Sequence, residues 1–105
     1  MMQRHSLIAR LVVLLLFALP MTSSADCARD AGGLVHCSKH PSGGAAKDAG
    51  GLVHCGKGQC RRGGDGLVYC SKVPGGGAET DAIEFVQCLG GCERGDREVC
   101  VRGDR

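Results

Sequence analysis

The sequence predicts a small, disulfide-rich, mainly β protein made of two tandem 33-residue modules and a truncated third module, with Gly-rich loops. The first observation is a fixed period: residues 26–58 and 59–91 align without a gap, and 17 of their 33 positions are identical. The second is eight cysteines that recur at matching places. The third is a turn followed by apolar-Val-x-Cys, which occurs four times. A fixed period of this length is typical of repeat architectures.

Residues 1–25 have the composition of a secretory signal peptide. Arg4 and Arg10 give a basic start, and Leu11–Leu19 is an unbroken apolar run of nine residues. Ser23-Ser24-Ala25 then supplies the small residues of a cleavage site. The apolar run is too short to cross a bilayer. We therefore predict cleavage after Ala25, a secreted extracellular protein without membrane insertion, and a mature chain of 80 residues, 26–105.

All eight cysteines lie in this mature chain: Cys27, Cys37, Cys55, Cys60, Cys70, Cys88, Cys92 and Cys100. Such a density in a short secreted chain predicts a disulfide framework. Burying a large apolar side chain contributes about 1.5–3 kcal/mol, whereas ordering one residue costs about 1.5 kcal/mol. Because the mature chain has few large apolar residues and many glycines, cross-links of about 2–4 kcal/mol each are needed to stabilise it.

The first module, 26–58, and the second module, 59–91, each contain two copies of the turn-and-strand motif. The copies are Asp30–Cys37, Asp48–Cys55, Gly63–Cys70 and Asp81–Cys88. The Asp/Gly-rich start favours a turn, and the apolar-Val-x-Cys end favours a strand. Side chains alternate along a strand, so we expect Val and Cys to point inward in every copy and the Leu face to be half-covered.

The connections between these strands are small and Gly-rich. Ser42–Ala46 and Gly75–Ala78 are therefore predicted to be mobile. One segment allows an alternative to the all-β prediction: Ala78–Phe85 has Glu79, Thr80 and Asp81 placed as at a helix N-terminus.

The C-terminal segment, 92–105, is interpreted as a third module cut short, or a tail. Its Cys92 and Cys100 match the two cysteines that begin each full module. This symmetry predicts the disulfides Cys27–Cys37, Cys60–Cys70 and Cys92–Cys100, with Cys55–Cys88 joining the modules. The nearest-neighbour pairs Cys55–Cys60 and Cys88–Cys92 are the rival, and the sequence leaves the choice open.

The composition argues against several functions. The mature chain has 11 basic and 11 acidic residues, so no net charge steers it to nucleic acid or to an anionic membrane. The common catalytic motifs are missing from the sequence, so we expect no enzyme and no cofactor. His36-Cys37-x2-His40 and His54-Cys55-x4-Cys60 have closely spaced soft ligands, but paired cysteines leave no metal site. His36 and His54 are then strand residues on the half-exposed face.

Two Arg-Gly-Asp tripeptides are the sharpest candidate recognition residues: Arg94, Gly95, Asp96, and Arg102, Gly103, Asp104. The first, inside a predicted Cys92–Cys100 ring, resembles the cell-adhesion tripeptide of disintegrin-type integrin ligands. The resemblance implies that Asp96 completes a metal site on the receptor while Arg94 reaches an acidic pocket. A closed ring would lower the entropy cost of binding. Composition alone also explains such a tripeptide in a chain rich in Arg, Gly and Asp.

Leader, length, cysteine density and missing catalytic motifs together resemble the small secreted cysteine-rich proteins that pathogens, especially fungi, release toward hosts. This class resemblance implies a non-enzymatic, virulence-factor-like effector that binds an extracellular or host protein and modulates host defence. An integrin ligand or antagonist is the first alternative. An antimicrobial or toxin-like peptide is the second, although a neutral chain lacks the cationic amphipathic face that such peptides use.

Overall fold

The computed structural model describes residues 26–103, so the predicted signal peptide, Asp104 and Arg105 lie outside the described residues. The described chain is mainly β, with one 3₁₀ turn, Arg97–Val99. Its strands are β1 Cys27–Arg29, β2 Val35–Ser38, β3 Ala45–Lys47, β4 Val53–Cys55, β5 Cys60–Arg62, β6 Val68–Ser71, β7 Ala78–Thr80, β8 Val86–Cys88, β9 Cys92–Arg94 and β10 Cys100–Arg102. The predicted fold class is confirmed, and the helical alternative for Ala78–Phe85 is wrong because β7 begins there.

Each copy of the motif is the turn and second strand of an antiparallel β-hairpin. We call them hairpins 1 to 4: β1–β2, β3–β4, β5–β6 and β7–β8. In hairpin 1 the Gly33 N–H donates to the Asp30 carbonyl at 3.0 Å, and Gly33 has a φ of 87°. A type I turn followed by a left-handed residue matches the right-handed twist of a hairpin. The Asp-x-x-Gly spacing therefore specifies the connection.

The four hairpins stack in chain order through backbone hydrogen bonds between neighbouring turns. Ala31 N–H donates to the Gly51 carbonyl, Ala49 N–H to Gly66, and Gly64 N–H to Glu84, each at 2.9 Å. First strands contact first strands along the whole series. The molecule is thus a short stack of hairpins rather than two sheets around one large core.

Burial follows position in the stack. Val53, Cys55, Val68 and Cys70 of the two inner hairpins are buried, as predicted for the inward face. The equivalent residues of the outer hairpins are only half-buried, because each outer hairpin has a neighbour on one side. Cys60, Val68 and Cys70 form the central cluster. Disulfide sulfur therefore supplies much of the small interior.

The Gly-rich connections are packed at the positions where the sequence predicts mobility. Gly43, Gly44 and Gly76 are buried. A Cβ on Gly44 would lie 2.7 Å from the Cys60 backbone nitrogen, and one on Gly43 would lie 2.1 Å from the Gly56 carbonyl oxygen. Glycine is used here because two backbones approach each other closely.

The C-terminal segment adds a third strand to two different hairpins instead of closing a ring of its own. Strand β9 pairs with β6, and β10 pairs with β2. Cys92 lies opposite Ser71, and Cys100 lies opposite Ser38, at equivalent places in the two modules. The reason is a local repeat, Cys-x-Arg-Gly-Asp-Arg, that begins at residue 92 and again at residue 100.

This arrangement decides the disulfides. Cys27–Cys37 and Cys60–Cys70 form within hairpins 1 and 3, where the register places the two cysteines opposite each other, and these predictions are confirmed. The predicted Cys92–Cys100 and Cys55–Cys88 pairs are wrong. The structure has Cys55–Cys100 and Cys88–Cys92, so one pair of the rival scheme holds and Cys55–Cys60 does not. The equivalent Cys55 and Cys88 each bind the first residue of a C-terminal strand.

Candidate functional site

Two grooves occupy equivalent places, one in each module. The polar groove lies between hairpins 1 and 2 and has a volume of about 440 Å³. The apolar groove lies between hairpins 3 and 4 and has a volume of about 550 Å³. The 33-residue period relates their walls: His36 of the first corresponds to Tyr69 of the second, and Leu52 corresponds to Phe85. The scaffold therefore presents the same concavity twice with different side chains.

The apolar groove has the most exposed apolar side chains of the described residues. Ile83 is 73% exposed and Phe85 is 67% exposed, while Leu89 just beyond them is 64% exposed. Tyr69 and Val86 form its inner wall. Leu52, at the position of Phe85, is 41% exposed. Clustered exposed apolar residues mark interaction surfaces, whereas single ones are ordinary.

The polar groove is lined mainly by charged groups. Asp30 and His36 lie on hairpin 1, and Arg97, Glu98 and Arg102 are supplied by the C-terminal segment. Its apolar wall is reduced to Leu52 and Val53. Opposite charges are thus interspersed around a small concavity, with no dominant sign.

Turn aspartates hold the walls of both grooves. In hairpin 1, Asp30 Oδ1 accepts from the Leu34 N–H at 2.9 Å, and Asp30 Oδ2 lies 2.8 Å from His36 Nε2. In hairpin 2, Asp48 makes the same two contacts with Leu52 and His54, at 3.0 and 2.7 Å. The His36 hydrogen bond lowers the pKa of Asp30. For Asp48, the Leu52 N–H and then His54 lower the pKa.

Hairpin 3 makes the equivalent turn contacts with different residues. Gly63 stands at the usual aspartate position, Asp65 lies two residues later, and Tyr69 stands at the histidine position. The Tyr69 hydroxyl donates to Asp65 Oδ2, and the Leu67 N–H donates to Asp65 Oδ1 at 3.0 Å. This hydroxyl bond lowers the pKa of Asp65 and raises the pKa of Tyr69. The phenol ring is thereby fixed against the apolar groove.

One wall residue of the apolar groove has an uncommon backbone conformation. Glu84 has a φ of 66°, whereas its counterparts at this place in the other three turns are Gly33, Gly51 and Gly66. A left-handed residue with a side chain costs about 1–2 kcal/mol. Among the described residues this is the only non-glycine at positive φ, and it lies at the groove rim. Strain of this kind is typical of functional positions.

The candidate recognition tripeptide at 94–96 begins at the last residue of β9 and ends at Asp96, which forms an isolated β-bridge with Cys55 and caps the 3₁₀ turn, so it is not at a free loop tip. Gly95 N–H donates to the Val68 carbonyl at 2.9 Å, and the Asp96 backbone pairs in both directions with Cys55. A Cβ on Gly95 would meet His54 Cβ at 2.8 Å, which explains the glycine by packing. Arg94 and Asp96 themselves are exposed.

The second tripeptide is held in the same way as far as it is described. Gly103 N–H donates to the Val35 carbonyl at 2.9 Å, and Arg102 lies opposite His36 in the β-ladder. A Cβ on Gly103 would meet Cys37 Sγ at 2.3 Å. Asp104 lies outside the described residues. Both glycines therefore have a structural role whether or not the tripeptides bind a receptor.

Two serines were not singled out from the sequence although they connect the hairpins. Ser38 and Ser71 are buried, and their hydroxyls donate to the carbonyls of Gly56 and Leu89 on the following hairpin. Their identity across the 33-residue period was the available signal. Ile83 and Phe85 were missed for the opposite reason, because they depart from the repeat.

Three further observations on the described residues concern cysteine pairing, metal-ligand groups and membrane-crossing helices. All eight cysteines are in disulfides. Within 26–103, no three His, Cys, Asp or Glu side chains gather as a metal site would require. In the same stretch no helix has the length and apolarity to cross a membrane.

Comparison with known protein families, curated proteins and solved structures gives no match to this chain.

Proposed function

We propose that this protein is a secreted, non-enzymatic effector that binds an extracellular or host protein through the apolar groove and thereby modulates host defence. The observation that carries the proposal is the exposure of Ile83 and Phe85, 73% and 67%, in the wall of the apolar groove. The four disulfides and the predicted leader support the secreted location. The polar groove serves as the internal comparison, because the same fold exists there without the apolar cluster.

The groove suits a side chain of a partner protein. Binding sites for anchoring residues are concave and mostly apolar, and a few buried anchors carry most of the binding energy. Tyr69 and Phe85 offer aromatic walls to an aliphatic or aromatic anchor. Tyr69 is already fixed by Asp65, so little side-chain entropy is lost when a partner binds there.

The rim of the groove specifies the charge of that partner. Asp65 and Glu84 both line it, and among the described residues no basic side chain does. Arg94, opposite Tyr69 in the ladder, is close enough to help the Tyr69 hydroxyl lower the pKa of Asp65. Charge complementarity favours an apolar anchor flanked by lysine or arginine. The partner is therefore inferred to be a protein segment with one apolar side chain between basic residues.

A displayed peptide library tests the groove directly. The library has one apolar position flanked by randomised charged positions, and it is selected on the oxidised protein. We expect basic-flanked apolar peptides to be enriched by the wild type and lost with Phe85→Ala. Leu52→Ala, the matched change in the polar groove, should leave the enrichment unaltered. Equal enrichment by the wild type and Phe85→Ala would exclude the groove as the site.

The effector role needs a response assay in host cells. Wild-type protein and Leu52→Ala should alter the host-defence response, and Phe85→Ala should not. A response that is unchanged by purified protein, together with full virulence of a strain lacking it, would contradict the proposal.

The second candidate is adhesion, favoured by the exposure of Arg94 and Asp96 on either side of Gly95. Changing Asp96→Glu and Asp104→Glu in one protein should abolish inhibition of cell adhesion. Undiminished inhibition in that double variant excludes this candidate.

A further inference from the structure

The stack of hairpins has two ends. Because the sequence repeats every 33 residues, each end has the same backbone framework as one side of the contact between hairpins 2 and 3. Inside, hairpin 2 packs on hairpin 3: Ala46 contacts the cluster of Cys60, Val68 and Cys70. By the 33-residue period, hairpin 4 ends the chain of stacked hairpins with the framework of hairpin 2. Hairpin 1 begins the stack with the framework of hairpin 3. A second copy of this chain placed end to end would therefore reproduce the contact between the modules.

One backbone donor at one end of the stack and one backbone acceptor at the other end have no hydrogen-bond partner among the described residues. The turn-to-turn series runs from Ala31 to Ala49 to Gly64, and its next donor is the Ala82 N–H, which has no hydrogen-bond partner among the described residues. At the other end, the Gly33 carbonyl likewise lacks the donor that Gly51, Gly66 and Glu84 receive. The ends match as donor and acceptor.

Residues on the outer faces of hairpins 1 and 4 are also less buried than their counterparts between hairpins 2 and 3. Gly44 is buried against hairpin 3, but at the equivalent Gly77 a Cβ would meet nothing within 4 Å. Val68 is 2% exposed beneath hairpin 2, whereas the equivalent Val35 on hairpin 1 is only half-buried. Contacts that are heterologous and do not close on themselves give open chains of molecules.

The two faces differ at side chains that the contact would bury. Gly56 packs against Cys70 between hairpins 2 and 3, where an added Cβ would lie 2.7 Å from the Cys70 Sγ, but its counterpart on hairpin 4 is Leu89, which is 64% exposed. Where hairpin 2 has Ala46 and His54, hairpin 4 has Glu79 and Gln87, which lie opposite each other in the ladder and are both exposed. In a second copy's contact, Glu79 would be pressed against the Cys27–Cys37 disulfide and Val35. Burying a carboxylate against apolar groups without a partner is strongly unfavourable. Terminal repeats commonly have a polar outer face for this reason.

We propose that Glu79, Gln87 and Leu89 cap the stack and keep a second copy of this chain from docking end to end on hairpin 4. The interaction surface that they block is the outer face of hairpin 1, formed by Val35 and the Cys27–Cys37 disulfide. The cap acts by the cost of burying Glu79 and by the volume of Leu89, so both side chains must be removed to expose the latent interface.

Sedimentation velocity over a concentration series tests the cap. Glu79→Ala combined with Gln87→His and Leu89→Gly restores the face of hairpin 2, and we expect an average mass that rises with concentration beyond that of a dimer. Glu98→Ala removes one carboxylate elsewhere and should behave like the wild type, which we expect to be monomeric. All three replaced residues are exposed, and intact disulfides are checked by mass spectrometry.

The direction of assembly is tested by mixing. Wild-type protein has the same hairpin 1 face as the uncapped variant but a capped hairpin 4 face, so it can join only one end of a chain and should shorten the assemblies. Adding Val35→Glu to the uncapped variant should return it to monomers. A monomeric uncapped variant with intact disulfides, or wild-type protein that itself elongates, overturns the proposal. So do assemblies that persist with Val35→Glu.

Discussion

The two grooves show which parts of the repeat serve folding and which differ freely. Both rest on a turn aspartate, an inward Val and Cys, and a buried serine that reaches the next hairpin. Their linings differ: His36 and Leu52 in one, Tyr69 and Phe85 in the other. The polar groove also receives charged residues from the C-terminal segment. The comparison teaches that the scaffold fixes a concavity and that a few substitutions in its wall decide what it can bind.

The largest effect that separates the two modules concerns the equivalent cysteines Cys55 and Cys88. The Cys55–Cys100 disulfide joins residues 45 positions apart in the sequence, whereas Cys88–Cys92 joins residues 4 positions apart. From the loop-closure entropy, removing Cys55–Cys100 should lower the free energy of unfolding by about 4 kcal/mol, and removing Cys88–Cys92 should lower it by about 2 kcal/mol. Urea unfolding of Cys55→Ala/Cys100→Ala and of Cys88→Ala/Cys92→Ala measures both. A larger loss for the shorter loop would contradict this account.

The next effect compares two glycines at the same position of the period. Gly44→Ala places a Cβ 2.7 Å from the Cys60 nitrogen, whereas Gly77→Ala meets nothing within 4 Å. We expect Gly44→Ala to lower the free energy of unfolding by about 1–3 kcal/mol because backbone cannot move aside easily. Gly77→Ala should leave it nearly unchanged. Similar losses for both would show that hairpins 2 and 3 are not in the described contact.

A smaller effect links stability with the apolar groove. Glu84→Gly removes a side chain from a left-handed backbone and should raise the free energy of unfolding by about 1–2 kcal/mol. If Glu84 contributes to binding at the rim, the same variant should enrich fewer basic-flanked peptides. The matched reverse change, Gly51→Ala, should destabilise hairpin 2, since its φ is 87° and its Cβ would lie 2.5 Å from that of Ala31. A Glu84→Gly variant that is less stable than the wild type would contradict the proposed backbone strain at Glu84.

The smallest effect is the acid sensitivity of the turns. Hydrogen bonds lower the pKa of Asp30, Asp48 and Asp65 below the ordinary value of about 3.9. A lowered folded-state pKa gives stability that is complete above the unfolded pKa and is lost as the pH falls through the folded pKa. Asp48→Asn should therefore be less stable than wild type at about pH 7, and the difference should disappear as the pH falls through the folded-state pKa of Asp48, which lies below its ordinary value. A gap that is unchanged over that range would show that the charge of Asp48 contributes nothing.

Much of the fold was predictable because its determinants are local. In hairpins 1 and 2 the determinants are an aspartate, a glycine three residues later and an alternating Val-x-Cys. In hairpin 1 the register then places Cys27 opposite Cys37. The candidate groove was not predictable. Ile83 and Phe85 appear in the sequence as ordinary strand-region residues, and only the stacking of hairpin 4 on hairpin 3 shows that they flank a concavity with Tyr69.

By itself, the sequence determined the four turn-and-strand copies and the disulfides inside hairpins 1 and 3, because each depends on residues within about a dozen positions of one another. The first strand of each hairpin was not predicted. Only the tertiary structure decided where the C-terminal segment goes, and with it the partners of Cys55 and Cys88. Two short extended strands can pair with any open edge of suitable register. The packing of Gly95 on hairpin 3 and of Gly103 on hairpin 1 selects the edges, and that selection depends on a stack that must already exist.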